Sequence, residues 1–356
     1  MAASIYKTIK PSARTSQKTV LHESIPITGS LISGTYGTWP DDTNVKFYSH
    51  GYFQSVYDYP YLSSSANHMF DLSFGLAPTY ATQPSASGEE GTIKNAIWNQ
   101  MSQVTYGYDP TGSIIPINRS GSLTPSGVGL AGPIMEDIVV INFSRLLAKD
   151  EIKKESFSMV LGTGNYATPF DAEGVTLSDL GASTAYKNNS PLGEYSILYS
   201  GSTATSMGAQ GLLFYQAGFA VVAGAAVFSN ADAFASSSTL GTQTYENSIV
   251  SQSCDDLSSG LRRRIQNISF NNTTELNSSI YFCKVDHGDF NYSSNPTYVS
   301  GSKIRVKETI GDSPMTYVTT VGLYSEDNEL LAVAKLSEPI KNSATDASTF
   351  RVRLDY

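Results

Sequence analysis

From Ile265 to its end, the sequence alternates apolar and polar residues with a period of two, which restricts the fold more than any other feature. Seven candidate strands follow one another here: IQNISF, SIYFCKV, TYVSG, KIRVKET, TYVTTVGLY, ELLAVAKL and TFRVRLDY. Clusters of Asn, Gly, Asp and Pro separate these segments. Short alternating strands bounded by turn residues predict a C-terminal antiparallel β-sandwich.

Two features of this region predict how its last strands are arranged. Residues 319–336 read TTVGLYSEDNELLAVAKL, which predicts a buried hairpin with a four-residue turn over 325–328 and the acidic pair Glu326 and Asp327 facing outward. The final strand alternates apolar Phe350, Val352, Leu354 and Tyr356 with polar Arg351, Arg353 and Asp355. We expect this strand to join the hairpin in one sheet.

A helix is predicted immediately before the strands. Apolar side chains spaced 4, 3, 4 and 4 residues apart define its buried stripe: Val250, Cys254, Leu257, Leu261 and Ile265. Three arginines, residues 262–264, lie near its end, where cations complement the helix dipole.

The preceding region mixes helices and strands. Residues 92–104 place Ile93, Ile97, Met101 and Val104 on one helical face, with Thr92 as a cap. DIVVINFS (137–144) predicts a buried strand, RLLAKDEIKKES (145–156) a short charged helix and FSMVL (157–161) another strand. The apolar residues 211–228 are interrupted by Gln-Ala-Gly, which favours a buried hairpin over a membrane span.

The N-terminal part has two distinct compositions. The first 22 residues contain Lys7, Lys10, Arg14 and Lys18 but no Asp or Glu, as in a basic arm lying along a neighbouring subunit or in a disordered tail. Residues 46–76 contain eight Tyr or Phe residues between Phe47 and Phe70, which suits a subunit interface as well as a core.

These patterns predict a mainly β fold with α+β elements in three parts. An extended basic arm (1–45) precedes a central α+β domain with the aromatic segment (46–245), and a helix followed by the β-sandwich completes the chain (246–356). Charged residues make up only 15% of the sequence, against about 25% in a typical protein. The net charge of −9 argues against binding to nucleic acid or anionic membranes.

No residue pattern predicts a catalytic, cofactor or metal site. Asp286, His287 and Asp289 could attract a metal, but no further ligand follows, so a polar turn is the favoured interpretation. LGTGNYA (161–167) lacks the helix and carboxylate of a dinucleotide site, which favours a tight turn. The remaining histidines, at positions 22, 50 and 68, are scattered, no serine lies in G-x-S-x-G, and Asp41-Asp42, Glu89-Glu90 and Asp255-Asp256 suit turns or helix ends.

Two further features bear on the compartment. Cys254 and Cys283 have no metal or redox spacing and are expected to be free, buried thiols. The first twenty residues lack the continuous apolar core of a signal peptide, so we expect no secretion.

Several segments resemble virion structural proteins of contractile-tailed, T-even-like phages of cyanobacteria and marine bacteria. They are YSHGYFQSVYDYPYLSSSANHMFDLSFG, INFSRLLAKDEIKKESFSMVLG, FNYSSNPTYVSG, YVTTVGLYSEDNELLAVAKLSEPIK and RVRLDY. The hairpin is similar to the GL[YF]-x-x-D-x-x-L-[IL]-A-V stretch of phage tail-collar fibre and baseplate-associated domains.

The resemblance implies a non-enzymatic virion subunit, without cofactor, at the baseplate or where fibres attach. Its partners would be other copies of itself, in a symmetric homo-oligomer, and neighbouring baseplate, tail or fibre proteins. The virion tail or neck would be its location, after assembly in the host bacterial cytoplasm. A neck, collar or head position is the alternative, and a carbohydrate-binding or carbohydrate-cleaving β-sandwich protein is the alternative of another class.

Overall fold

The computed structural model of the protein describes residues 6–28, 42–80, 89–123, 134–171, 174–201, 208–228, 234–237, 241–290, 299–300, 303–304 and 315–356. The fold is mostly β with a few helices, and a large antiparallel sheet accompanies smaller two-stranded sheets. The predicted fold class, mainly β with α+β elements, is confirmed.

The α-helices in the described ranges are α1 (Glu89–Tyr106), α2 (Arg145–Ala148), α3 (Ala182–Ala185), α4 (Gly224–Phe228), α5 (Tyr245–Ser251) and α6 (Cys254–Arg264). Short 3-10 helices lie at Pro11–Ala13, Asp42–Asn44 and Pro78–Tyr80.

The strands in the first half of the chain are β1 (Arg14–Thr28), β2 (Val45–Lys46), β3 (Gln54–Tyr57), β4 (His68–Leu76), β5 (Asp137–Phe143), β6 (Glu151–Ile152), β7 (Ser158–Leu161), β8 (Val175–Ser178), β9 (Lys187–Ser190) and β10 (Gly193–Ser200). Those in the second half are β11 (Ala209–Phe214), β12 (Phe219–Val222), β13 (Ala235–Ser237), β14 (Gly241–Gln243), β15 (Ile265–Val285), β16 (Val299–Ser300), β17 (Lys303–Ile304), β18 (Met315–Tyr324), β19 (Leu330–Ser343) and β20 (Ser348–Asp355).

The chain forms two compact units. Unit 1 consists of Met1–Val20 and Glu275–Tyr356, and unit 2 consists of Leu21–Thr274. The long strands β1 and β15 have residues in both. This division differs from the three predicted parts, 1–45, 46–245 and 246–356, which stay a prediction.

Unit 2 is built on a sheet with the strand order β7-β8-β10-β11-β12-β5-β4-β3-β2. Its central strand β5 is apolar on both faces because both are covered. Val139 and Ile141 belong to one hydrophobic core, and Ile138 and Val140 belong to the other. The predicted buried strand at 137–144 is therefore confirmed.

The other predicted elements of unit 2 are largely present. The predicted hairpin in 211–228 is β11 paired with β12, and Gln216, Ala217 and Gly218 lie in its turn. The stripe from Val250 to Ile265 is buried, although it is divided between two helices and its last residue, Ile265, begins β15. Ser253 Oγ accepts a hydrogen bond from Asp256 N at 3.1 Å and so caps a new helix, α6.

Three details of the predicted helices are wrong. The helix α1 begins at Glu89, so Thr92 lies inside it, and Val104 is exposed. The predicted charged helix over 145–156 is only the four residues of α2. It ends because Lys149 adopts a positive φ of 53°, and β6 follows.

In unit 1, β20 pairs with β15, from Ser278 opposite Asp355 to Val285 opposite Ser348. The strand β1 also neighbours β15, so this part of the N-terminal arm is ordered in a sheet and is not the disordered tail of the alternative. Its placement along a neighbouring subunit stays a prediction. A β-strand arm satisfies its backbone groups by pairing.

The C-terminal region differs from the prediction in two ways. The strands β18 and β19 pair with each other as a separate two-stranded sheet, while the last strand joins β15 instead. IQNISF and SIYFCKV are parts of one continuous strand, β15. The region fits a β-sandwich only loosely, because alternation identifies strands but does not choose their neighbours.

Candidate interaction surfaces

The predicted polar turn at Asp286, His287 and Asp289 is held by lysines. Lys7 Nζ donates to Asp286 Oδ2 at 2.9 Å and also to Asp289 Oδ2, and Lys284 Nζ lies 2.8 Å from Asp286 Oδ1. Across the described part of the chain, no group of three or more His, Cys, Asp or Glu side chains could hold a metal ion. This turn therefore anchors the N-terminal segment within unit 1.

The lysine contacts shift the titration of the turn. Hydrogen bonds from Lys284 and Lys7 lower the pKa of Asp286 to about 2, and Lys7 also lowers the pKa of Asp289. The carboxylates of Asp289 and Asp286 in turn raise the pKa of Lys7, and the hydrogen bond to Asp289 has the larger effect. These side chains are exposed, so solvent screens the attraction.

The aromatic segment 46–76 lies mostly outside the hydrophobic core. Of its eight Tyr and Phe side chains between Phe47 and Phe70, four are exposed: Phe47, Tyr52, Tyr59 and Tyr61. Phe70 is fully buried and belongs to the core of unit 2. The segment thus presents an aromatic surface to solvent.

A row of polar side chains crosses three strands beside these rings. Ser55, Asp71 and Asn142 lie directly opposite one another on β3, β4 and β5, and we call them the polar row. Ser55 Oγ donates to Asp71 Oδ1 at 2.5 Å, and Asn142 Nδ2 donates to Asp71 Oδ2 at 3.3 Å. His68 Nε2 lies 2.8 Å from Asp71 Oδ1. Asp71 is the centre of this network.

Asp71 remains a carboxylate in this network. Burial alone raises its pKa, but hydrogen bonds from His68, Ser55 and Asn142 outweigh burial and lower it. The hydroxyl of Ser55 donates to the carboxylate and not to the imidazole. A nucleophilic serine must donate to the base, so these groups do not form a Ser-His-Asp triad.

Aromatic rings surround the polar row. The hydroxyl of Tyr48 lies 3.3 Å from Ser55 Oγ, and the ring of Tyr57 is centred 5.5 Å from that of His68. The ring of Tyr48 stacks on that of His50 at 5.2 Å. Rings beside a half-buried carboxylate and an exposed amide can stack on the apolar face of a ligand, while the carboxylate and amide bind its polar groups.

The hairpin of β18 and β19 exposes the other apolar surface. Six large side chains are between 42% and 66% exposed: Tyr317, Tyr324, Leu330, Leu331, Val333 and Ile340. Leu323 is buried. The ring of Tyr6 packs 4.9 Å from that of Tyr324. The predicted burial of this hairpin is therefore wrong for most of its large residues.

The hairpin turn is acidic and exposed, as predicted. Glu326, Asp327 and Glu329 are all exposed. The ion pairs between described residues involve none of these three. Acidic side chains beside exposed apolar ones suit a partner with basic groups.

Sequence reasoning missed the buried charged groups of unit 2. Lys94 is fully buried on α1, where its Nζ donates to Ile249 O at 2.8 Å and to Gln252 O. These carbonyls belong to the C-terminal end of α5. Burial lowers the pKa of Lys94. The only sign of this buried lysine in the sequence was its position one helical turn before Ile97 and Trp98, on the apolar face of the helix.

Asp179 has a similar structural role. Its carboxylate accepts hydrogen bonds from Glu155 N at 2.7 Å, Phe157 N at 3.0 Å and Tyr215 Oη at 2.8 Å. Burial raises the pKa of Asp179, although these hydrogen bonds oppose the shift. The carboxylate thus fixes the loop before β7.

The remaining candidates lie apart from each other. Gly162 N donates to Arg264 O at 2.8 Å, so LGTGNYA forms a turn after β7 packed beside the end of α6. His22 Nδ1 lies 3.4 Å from Asn272 O. Cys254 and Cys283 are both free, and only Cys254 is buried.

In the parts of the chain that the structure describes, no helix has the length and apolar character needed to cross a membrane. Comparisons with models of protein families, with curated proteins and with solved structures find no match to this chain.

Proposed function

We propose that this protein is a non-enzymatic structural subunit of a tailed-phage virion, at the baseplate or where fibres attach. Copies would assemble in a symmetric ring with neighbouring baseplate, tail or fibre proteins. A neck, collar or head position is the alternative within the same particle. The resemblance of the sequence segments motivates the identity of the particle.

The exposed apolar residues of β18 and β19 carry the structural part of the proposal. A two-stranded sheet is at best marginally stable by itself, and clustered exposed apolar side chains mark a surface that binds another protein. Six such residues on one hairpin therefore support a subunit whose neighbours cover this surface. The net charge of −9 favours protein partners over nucleic acid.

Mass spectrometry of separated virion heads and tails tests the proposal. We expect the protein in the tail fraction, at a number of copies per particle that is consistent with a ring. Its presence only in heads would replace the tail position with the alternative. Its absence from both fractions would contradict the proposal.

A pair of variants tests whether the hairpin surface is used in assembly. We expect Leu330→Ser with Leu331→Ser to reduce incorporation into particles without unfolding the chain. The control is Leu146→Ser with Leu180→Ser, which changes two exposed leucines of unit 2 outside the aromatic segment. Equal incorporation of both variants would show that the hairpin leucines are not used.

The polar row favours carbohydrate binding as a second candidate function. Sugars present apolar faces for aromatic rings and hydroxyls for carboxylates and amides, and Asp71, Asn142 and Tyr57 offer both. Retention of the protein on a glycan array, lost in Asp71→Ala and kept in the exposed control Asp171→Ala, would support this function. A protein present in virions but retained by no glycan would contradict it.

A further inference from the structure

Within the part of the chain that the structure describes, the last strand has an open hydrogen-bonding edge. Asn277 and Tyr356 exchange both backbone hydrogen bonds, at 3.1 and 2.8 Å. The register between β15 and β20 is uninterrupted from this pair onward. Every second residue of β20, counted back from Tyr356, therefore forms its backbone hydrogen bonds with β15. Arg351 and Arg353 fall between these positions, and their N–H and C=O groups point away from β15. No described strand lies on that side of β20.

This edge is basic and partly apolar. Arg351 and Arg353 are exposed, and Arg351 lies opposite Phe282, whose side chain is 40% exposed. Arg353 Nε pairs with Asp355 at 2.7 Å, whereas no ion pair between described residues involves Arg351. An incoming strand with apolar and acidic side chains would match the edge.

The strand β19 of the same chain has these properties. It pairs only with β18 among the described strands, so its other edge is open. Its exposed Leu330, Leu331 and Val333 follow directly after the acidic turn. Two other strands of unit 1 suit β20 less well. The strand β18 also has an open edge among the described strands, but its exposed large apolar residues are only Tyr317 and Tyr324. The strand β1 carries Arg14 and Lys18, and like charges opposite each other in a sheet are destabilising, whereas Lys335 and Lys341 of β19 lie beyond its exposed leucines and valine.

We propose that β19 of one copy adds as a strand to β20 of the next copy, with its acidic turn beside Arg351 and Arg353. Strand addition gains main-chain hydrogen bonds from two open edges, and the charges select the partner and its register. Each copy offers one β19 and one β20, so the contact is head-to-tail and produces a ring when the rotation closes. This inference rests on the proposed function, and it specifies the contact between copies.

A proline substitution tests the main-chain part. Arg351→Pro removes one outward N–H of β20 and leaves the N–H groups that bond to β15, while Arg351→Ala removes the same side chain and keeps the N–H. We expect the proline variant of the full chain to self-associate at least about tenfold more weakly than the alanine variant. Sedimentation velocity measures association, and circular dichroism checks the fold.

A charge swap tests the partner. Glu326→Lys with Glu329→Lys reverses the turn, and Arg351→Glu with Arg353→Glu reverses the edge. Each variant alone places like charges together, so we expect each to self-associate at least about tenfold more weakly than wild type. An equimolar mixture should recover association, because each turn then meets an edge of opposite charge.

Three results would overturn the inference: a wild-type chain that stays monomeric at every accessible concentration, equal association of the proline and alanine variants, or a mixture that fails to recover. Mass spectrometry of the virion proteins distinguishes a failure of this inference from a failure of the proposed function. Normal incorporation of Arg351→Pro would reject the strand contact alone, whereas absence of wild type from virions would reject the function.

Discussion

Two hairpins of similar apolar character have opposite surroundings. In unit 2, β11 and β12 lie between β10 and β5, and Leu213, Phe214 and Val221 are fully buried. In unit 1, β18 and β19 lack a third strand in the described residues, and Leu331 and Val333 are mostly exposed. Apolar segments divided by turn residues therefore predicted both hairpins, but the neighbouring strands decided which hairpin became part of the core.

The largest expected difference in stability is between alanine substitutions at two leucines, one in each hairpin. We expect Leu213→Ala to lower the free energy of unfolding by about 2 to 5 kcal/mol, because it leaves a cavity in a packed core. Leu331→Ala should change it by no more than about 0.5 kcal/mol in the dilute, dissociated chain. Urea unfolding measures both. Equal losses would show that the hairpin is as buried as the core.

Methionine substitutions at two lysines should give a smaller difference in stability. Lys94→Met removes the donor to the carbonyls of Ile249 and Gln252, and we expect unfolding to become easier by about 1 to 3 kcal/mol because these buried acceptors lose their partner. Lys335→Met, on the exposed hairpin, is the matched control and should have almost no effect. A neutral Lys94→Met would show that water replaces the ammonium group.

Two carboxylates should give opposite pH dependences. The pKa of Asp286 is lowered from 3.8 to about 2, so its contribution to stability is present above 3.8 and is lost as the pH falls toward 2. Burial raises the pKa of Asp179, so its contribution is complete below 3.8 and is lost as the pH rises through the folded-state pKa.

Urea unfolding at a series of pH values measures this difference. Asp286→Asn should reduce the loss of unfolding free energy at acidic pH. Asp179→Asn should remove the loss of unfolding free energy that accompanies rising pH. Identical changes in the two variants would contradict these assignments.

The smallest effect is expected at the acidic turn of the exposed hairpin. Glu326→Lys with Asp327→Lys should change the free energy of unfolding of the dissociated chain by less than about 0.5 kcal/mol, because both side chains are solvated. Thermal or urea unfolding would measure this. A larger loss would mean that the turn has partners within its own chain.

Local patterns predicted much of the fold. The period of the stripe from Val250 to Ile265 predicted a buried helical face, and the continuous apolar run at 137–144 predicted a central strand. Both signals depend on burial along one element, which periodicity records directly. The break at Ser253 followed from a side-chain cap that helical spacing does not record.

The candidate sites were much less predictable. Ser55, Asp71 and Asn142 are separated by 16 and 71 residues, and only the registers of β3, β4 and β5 place them side by side. Likewise, nothing near Lys7 in the sequence indicated that Asp286 and Asp289 would bind it. Contacts across strands depend on register, and register is set by the whole sheet.

The sequence by itself determined a mainly β chain, its principal helices, the buried hairpin in 211–228 and the acidic turn of the last hairpin. These features depend on local periodicity and turn chemistry. Only the tertiary structure decided that β1 and β20 pair with β15, that β18 and β19 stay apart, and that the polar row exists. Strand order is decided by competition among many alternating segments for the same neighbours, which no single segment encodes.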